Sequence, residues 1–103
     1  MSGIELLSKE QLSTIPDLYQ TDGTDAQCLF KLFTPDSCFS WYLIEFSHQD
    51  MDTCFGLVKG LETELGYFSL SELSNVKGPL GLNIELDSSF KAKPVSLVRK
   101  DKF

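Results

Sequence analysis

Residues 55–73, FGLVKGLETELGYFSLSEL, decide how the rest of this 103-residue chain is expected to fold. Two apolar runs, at residues 54–61 and 67–70, are separated by the acidic segment ETELG at residues 62–66. Short apolar runs with a polar, glycine-containing segment between them are typical of a β-hairpin. We therefore predict two antiparallel strands joined by a turn at residues 62–66.

Gly56 and Gly60 fall on the same face of the first strand of this hairpin, because side chains alternate along a strand. Neither residue has a side chain, so that face is expected to be shallow. Glycine within a strand often marks a place where another group approaches the backbone closely. The sequence thus predicts that an aromatic side chain from a neighbouring strand, or a ligand, lies against these glycines.

Two capping-box sequences predict short helices. The S-x-x-Q sequence at residues 8–11 predicts a helix of about two turns over residues 8–15, which Pro16 ends. The S-x-x-E sequence at residues 69–72 predicts a second helix that runs to about Val76.

Three further segments have the composition and alternation of strands, at residues 27–33, 39–46 and 82–86. Asp22-Gly23 predicts a loop, residues 94–98 are a short apolar terminal piece, and residues 100–103 are expected to fray. Together these elements predict a single α+β domain over residues 1–103. Its sheet is expected to be mostly antiparallel, with about five strands in a meander-like order and two short helices.

The chain is acidic, since 15 Asp and Glu against 9 Lys and Arg give a net charge of −6 and a pI of about 4.6. Nucleic-acid binding through phosphates requires clustered Lys and Arg, and only the tail at residues 99–102 is locally basic. The charge therefore argues against direct nucleic-acid binding and against docking on an anionic membrane. It suits a protein partner with a basic surface.

The cysteines Cys28, Cys38 and Cys54 are odd in number, and no two of them have the C-x-x-C spacing. The first residues lack the basic and apolar regions of a signal peptide. No apolar run approaches the ~20 residues that a membrane-spanning helix needs. We therefore expect a cytoplasmic protein with reduced cysteines and no membrane association.

Motifs of known chemistry are not found in the sequence. His48 is the only histidine, and no spacing of His, Cys, Asp or Glu matches a zinc site. A nucleophilic Cys–His pair, joining His48 to Cys54 or Cys38, is suggested by proximity in the sequence alone. We predict no catalytic residue, metal or cofactor, and lean towards a protein that is not an enzyme.

Carboxylates are the richest set of candidate site residues. Glu62 and Glu64 lie in the predicted turn, and Glu72 lies in the first turn of the second predicted helix. Paired carboxylates can divide acid and base roles or bind a hard cation, although solvated turns and helix caps also use them. The candidate binding residues are Glu45, Glu62, Glu64, Tyr67 and Glu72.

Glu45 differs from the other carboxylates, because strand alternation places it on an otherwise apolar face with Trp41 and Leu43. A carboxylate buried there requires a partner or an edge position. We expect the partner to be Lys31 or Lys59 on a neighbouring strand.

Aromatic side chains provide another possible site. Exposed rings could stack bases, as they do in proteins that bind single-stranded nucleic acids, although the acidic charge opposes it. Packing in the core is the alternative role. The rings concerned are Phe39, Trp41, Tyr42, Tyr67 and Phe68.

Three long patterns carry a resemblance: FTPxSxxxWYxxEF, FGLVxGLExELGYFSLSEL and VxGPLGLxIExDxxF with a late proline. The chain resembles a small bacterial domain-of-unknown-function family found on plasmids, prophages and integrative elements, sometimes near antirestriction or conjugation genes. The resemblance implies no activity and no catalytic residues. Similar sequences often carry Arg at the position of Leu86, so a site that used that Arg would be altered here. The matching positions are residues 33–35, 37, 41–42, 45–46, 55–73, 76–90 and 94.

Four functions remain open on these observations. The first is a non-catalytic interaction module of a mobile genetic element, which the acidic surface and the resemblance favour. The second is a small ligand-binding domain or enzyme with a site lined by the candidate carboxylates. The third is an acidic antirestriction protein that mimics DNA, which requires carboxylates at phosphate-like spacing. The fourth is a single-strand binder that uses the aromatic rings.

Overall fold

The computed structural model describes residues 6–21 and 26–100. The predicted loop at Asp22-Gly23 and residues 101–103 lie outside the described residues. The described elements, in chain order, are α1 Lys9–Ser13, β1 Gln27–Cys28, β2 Phe30–Phe33, β3 Ser40–Phe46, β4 Thr53–Lys59, β5 Thr63–Ser69, α2 Leu70–Leu73, β6 Glu85–Leu86, β7 Lys93–Pro94 and α3 Val95–Lys100.

The main sheet has five strands in the order β5-β4-β3-β2-β6, and each neighbouring pair is antiparallel. Strands β2 to β5 form a meander, and β6 returns to pair with β2. A second, two-stranded sheet joins β1 to β7. The predicted α+β fold with a mostly antiparallel five-stranded sheet is confirmed. The prediction of two helices was wrong, because the apolar terminal piece forms α3.

The core lies on both faces of the main sheet. On one face, which we call the front face, α1 and α2 cover Leu43, Phe46 and Cys54. On the other face, which we call the back face, Val98 of α3 packs with Tyr42, Ile44 and Leu57. Because both faces are covered, the central strand β3 is buried along nearly its whole length.

Both capping boxes cap helices, as predicted. The backbone N–H of Gln11 donates to Ser8 Oγ at 3.1 Å, and Ser8 N–H donates to Gln11 Oε1 at 2.8 Å. In the second box, Glu72 N–H donates to Ser69 Oγ at 3.1 Å. Both helices are shorter than predicted. Helix α1 ends at Ser13 with Thr14 as its C-cap, before Pro16, and α2 ends at Leu73 with Ser74 as its C-cap.

The prediction of a turn at residues 62–66 was wrong. The chain reverses within residues 60–62, where Gly60 N–H donates to Glu62 O at 3.0 Å. Strand β5 then begins at Thr63, which pairs with Lys59, so Glu64 and Gly66 belong to the strand. All seven residues of β5 pair with β4, and this pairing keeps ETELG extended despite its turn-like composition. Gly66 is part of the strand and lies opposite Gly56.

A β-bulge in β3 overturns the predicted position of Glu45. The pairing with β4 shifts between Leu43, which faces Gly56, and Glu45, which faces Phe55. The extra residue, Ile44, reverses the alternation of the side chains that follow it. Glu45 therefore lies on the back face with Phe55 and not beside Leu43 on the front face.

Two other strand predictions held only in part. Residues 27–33 form two strands, separated at Leu29, and β2 is an internal strand between β3 and β6, as the apolar residues on both of its faces predicted. Residues 82–86 contribute only the two residues of β6, although Ile84 is buried. The preceding residues form a turn instead, in which Gly81 has a φ of 83° and Leu80 N–H donates to Asp36 Oδ2 at 2.7 Å.

Candidate functional site

A groove opens on the front face at the end of the β4–β5 hairpin. Its volume is about 420 Å³, which is within the range of ligand-binding pockets in proteins. We call it the Phe39 groove, and it is lined by Phe39, Val58, Gly60, Leu61, Glu62 and Glu64.

Gly60 provides the space for this groove. A Cβ at Gly60 would lie 2.4 Å from Phe39 Cε2, so the ring rests directly on the glycine backbone. The same ring stacks on Trp41 with a centroid separation of 6.1 Å and an interplanar angle of 27°. The predicted approach of an aromatic side chain to this glycine is confirmed, and it leaves one edge of Phe39 exposed to solvent.

The remaining lining side chains combine an apolar surface with negative charge. Leu61 lies in the turn with 92% of its surface exposed. Glu62 and Glu64 are exposed and lie on the front face, and neither takes part in an ion pair among the described residues. An exposed leucine beside two uncompensated carboxylates can bind a group that is both apolar and cationic.

A second cavity of about 330 Å³ lies on the other side of Phe39. The ring therefore separates two adjoining depressions on the front face. The lining of the second one includes Lys77 and Gly78 and, among the described residues, no carboxylate. It is lined by Thr34, Ser37, Phe39, Trp41, Val76, Lys77, Gly78 and Pro79.

Glu45 lies away from both depressions, on the back face. Its side chain is buried at 3% exposure, and its Oε1 accepts a hydrogen bond from Tyr19 N–H at 3.0 Å. Its Oε2 accepts from Thr21 N–H at 2.8 Å and from the Thr21 hydroxyl. The prediction of Lys31 or Lys59 as its partner was wrong, because the bulge turns Glu45 towards the loop after α1.

These hydrogen bonds determine the ionisation of Glu45. Burial alone would raise the pKa of its carboxyl group, but the hydrogen bonds from Thr21 and Tyr19 outweigh burial and lower that pKa below 4.5. Tyr19 has a φ of 67°, in a region that is strained for residues other than glycine. Glu45 is therefore an ionised anchor that holds a strained loop.

Tyr67 lies near this anchor, on the same face as Phe55, which its ring approaches at a centroid distance of 5.0 Å. A hydrogen bond with Tyr19, followed by burial and the charge of Glu45, raises the pKa of the Tyr67 hydroxyl. A phenol with a raised pKa stays protonated at neutral pH, so Tyr67 is not an activated nucleophile or base.

The structure therefore divides the five candidate residues among three places. It brings Glu62 and Glu64 together in the Phe39 groove. It places Glu45 and Tyr67 on the back face, and Glu72 at the start of α2, where its Oε1 accepts from the Ser69 hydroxyl at 3.0 Å.

Sequence reasoning missed three residues at these places. Leu61 was assigned to the end of a predicted strand, whereas it lies in the turn after β4 and is exposed. Tyr19 and Thr21 gave no signal, because their contact with Glu45 depends on the bulge in β3.

The aromatic residues do not form a single stacking surface. Phe39, Trp41 and Phe68 lie on the front face, whereas Tyr42 and Tyr67 lie on the back face. Tyr42 is buried beneath Phe90, with ring centroids 5.5 Å apart. Bases of one nucleic-acid strand could not reach both groups, so this arrangement disfavours single-strand binding by stacking.

His48 does not pair with a cysteine thiol in the described part of the chain. Its Nε2 lies 2.8 Å from Ile15 O, and its ring packs edge-on against Phe46. The Cys54 thiol donates to Asp52 O at 3.7 Å. Burial, followed by the negative charges of Asp52 and Asp50, raises the pKa of Cys54 to about 12, so the nucleophilic thiolate does not form at neutral pH.

We expect Cys38 to be the one cysteine that iodoacetamide modifies in the folded protein at about pH 8. Cys38 is exposed, whereas Cys28 and Cys54 are buried. Intact mass spectrometry should show a single adduct before denaturation and adducts on all three cysteines after it. Modification of Cys54 at the rate of Cys38 would contradict this account of the thiols.

Within residues 6–21 and 26–100, no group of three or more His, Cys, Asp and Glu side chains is arranged to hold a metal ion. Over the same residues, no helix has the length and apolar composition needed to cross a membrane.

Comparison with known proteins places the chain in a family. No curated protein and no solved structure matches it. The sequence profile of a family described as "Protein of unknown function (DUF2958)" matches residues 6–98. That range includes the elements α1 to β7, both depressions beside Phe39 and the Glu45 anchor. The chain therefore belongs to the DUF2958 family of proteins of unknown function.

Proposed function

We propose that this protein is a non-catalytic interaction module that binds a basic, partly apolar segment of another protein in the Phe39 groove. One observation carries the proposal: the groove places an exposed leucine and an aromatic ring beside two carboxylates that have no ion-pair partner among the described residues. The resemblance to sequences of plasmids, prophages and integrative elements supports a partner encoded by, or encountered by, such an element.

Charge supports a basic partner. The chain carries a net charge of −6, so its field attracts cationic surfaces over a Debye length of about 8 Å at physiological salt. Glu62 and Glu64 concentrate that charge at the groove. Lys or Arg in the bound segment would make contacts at the edge of the interface, which contribute more to association rate and selectivity than to affinity.

The apolar surface supplies affinity. Phe39 is held in place by Gly60 below it and Trp41 beside it, so it loses little side-chain entropy on binding. Leu61 is exposed in the lining of the same groove. A Leu, Met or aromatic side chain of the partner that contacts both residues would bury their exposed apolar atoms.

The alternative of a carboxylate-lined ligand or catalytic site has less support. Such a site needs its carboxylates within reach of one bound group, whereas Glu45, Glu64 and Glu72 lie on the back face, in the groove and at a helix cap. The same dispersal gives no continuous row of carboxylates of the kind that DNA mimicry requires. A cytoplasmic location remains part of the proposal, supported by an odd number of cysteines with no C-x-x-C spacing.

Selection from a random peptide library displayed on phage tests the proposed function. We expect the selected peptides to combine a large apolar residue with Lys or Arg on at least one side. The double substitution Glu62→Gln and Glu64→Gln should weaken binding of a selected peptide about tenfold at low salt, since each exposed ion pair contributes up to ~1 kcal/mol.

Glu10→Gln with Glu85→Gln is the matched control. Both residues are exposed, and they lie outside the groove on α1 and β6, so this variant has the same net charge as the groove variant. It should retain the binding of the wild-type protein. Equal losses in the two variants, or selected peptides without basic residues, would overturn the assignment of the partner to the Phe39 groove.

A further inference from the structure

Strand β5 is a free edge of the main sheet. It lies at one end of the strand order, and β4 is its only partner strand among the described residues. With seven residues it is long for an edge, whereas β6 at the opposite end has two. Long free edges offer a row of backbone donors and acceptors for another strand, and natural proteins usually protect them.

The direction of these backbone groups follows from two hydrogen bonds. Gly60 N–H donates to Glu62 O, and Leu70 N–H donates to Asp52 O, at each end of the β4–β5 ladder. In an antiparallel ladder every second pair is hydrogen-bonded, so the even-numbered residues of β5 bond inward to β4. The N–H and C=O groups of Thr63, Leu65, Tyr67 and Ser69 therefore point outward from the sheet.

Apart from Glu64, the composition of this edge offers little protection against pairing. Residues 63–69 contain no proline and no lysine, and the pairing of β4 with β5 shows no bulge. The side chains of Leu65 and Tyr67 are 44% and 56% exposed. The edge is therefore regular, carries two exposed apolar side chains, and presents its outward backbone groups to another strand.

We propose that two copies of this chain associate through β5, in antiparallel pairing about a two-fold axis at Gly66. With this axis all seven residues of each strand are paired, because Gly66 is the middle residue of β5. Leu65 faces Tyr67 of the second copy, and Thr63 faces Ser69. Each of these facing pairs exchanges two backbone hydrogen bonds, which satisfies the outward groups of both copies.

The sequence of β5 is complementary to itself in this register. Glu64, its one charged residue, faces Phe68 of the second copy and not the second Glu64. The two Glu64 residues are four positions apart along the strands, or about 13 Å, which exceeds the Debye length at physiological salt. Gly66 has no neighbouring atom within 4 Å of a built Cβ, so two copies can meet there without a clash.

Pairing also accounts for the exposed side chains on the back face. Cross-strand pairs of an aromatic and an aliphatic residue stabilise antiparallel strands, and Leu65 opposite Tyr67 occurs twice in a two-fold arrangement. On the front face, the second copy's strand lies beside Glu64 and extends the wall of the Phe39 groove. The inference does not depend on the proposed partner of that groove.

Substitutions at Gly66 test this register. A charged residue at position 66 faces the same charged residue of the second copy across the two-fold axis. Gly66→Glu should therefore weaken self-association about fivefold relative to Gly66→Gln, which has the same shape without the charge. Gly66→Lys should weaken it similarly. An equimolar mixture of the Glu and Lys variants should associate at least as well as the Gln variant, because opposite charges then meet on the axis.

Sedimentation equilibrium from about 1 μM to about 1 mM measures the association constants. We expect a reversible dimer for the wild-type protein, and circular dichroism should show the same fold in all variants. A wild-type protein that remains monomeric at the highest concentration would overturn the proposal. A dimer that is equally strong in the Glu, Lys and Gln variants, with no gain on mixing, would exclude this edge and register.

Discussion

Replacing Gly56 with alanine is expected to lower the free energy of unfolding by at least about 3 kcal/mol, or to prevent folding. A Cβ at this position would lie 1.8 Å from Tyr42 O and 3.3 Å from Leu43 Cα. Both atoms belong to the backbone of β3, the central strand, and cannot rotate away as a flexible side chain would. The clash can be relieved only by separating β3 from β4.

Urea unfolding followed by tryptophan fluorescence measures this effect, since Trp41 lies on β3. Gly66→Ala is the matched control, because Gly66 lies opposite Gly56 and a Cβ there meets no atom within 4 Å. We expect the control to change stability by no more than about 0.5 kcal/mol. Similar stabilities for the two variants would mean that β3 and β4 are not packed as described.

The second large effect is expected at Glu45. Glu45→Ala removes the acceptor of two backbone N–H groups and of the Thr21 hydroxyl, at a buried site on the back face. Loss of the acceptor for these part-buried donors should cost about 2–3 kcal/mol at neutral pH, although relaxation of the strained backbone at Tyr19 offsets part of that loss. Urea unfolding measures the loss, and Glu85→Gln on the exposed face of β6 is the control.

The pH dependence of this effect has a defined sign. The folded-state pKa of Glu45 lies below 4.5, so its charged form stabilises the fold. The contribution is complete above about pH 5 and is lost as the pH falls through the folded pKa. The stability difference between the wild-type protein and Glu45→Gln should therefore shrink progressively as the pH falls below about 5.

The titration of Asp50 does not affect this difference in stability between the two proteins. Hydrogen bonds from the Thr53 hydroxyl and from backbone N–H groups lower its pKa to about 2, but this happens in both proteins and cancels in the difference. A difference that stays constant or widens as the pH falls would contradict the assignment of Glu45 as an ionised anchor.

Local signals in the sequence predicted the elements that depend on local contacts. The capping boxes at Ser8 and Ser69 place both helix starts, because the bonds involved span three residues. The alternation of residues 39–46 predicted β3, whose observed bounds are Ser40–Phe46. The number of strands in the main sheet followed from the same kind of pattern.

Features that depend on pairing between strands were not predictable from local patterns. The bulge at Ile44 is a shift in the pairing of β3 with β4. It places Glu45 on the face opposite to the one predicted. The extension of β5 through residues 63–66 depends on pairing with β4, which composition alone does not show. At the candidate site, Glu62 and Glu64 were named in advance, but their neighbour Phe39 reaches them only through the fold.

Amide chemical shifts during titration with a selected peptide test the central claim that the Phe39 groove binds a basic, apolar segment. We expect the largest shifts at Phe39, Gly60 and Leu61, together with the indole N–H of Trp41, the only tryptophan. The shifts should be lost in the variant that lacks the Glu62 and Glu64 charges. Shifts that instead cluster on the back face, around Tyr19 and Tyr67, would show that the peptide does not bind in the Phe39 groove.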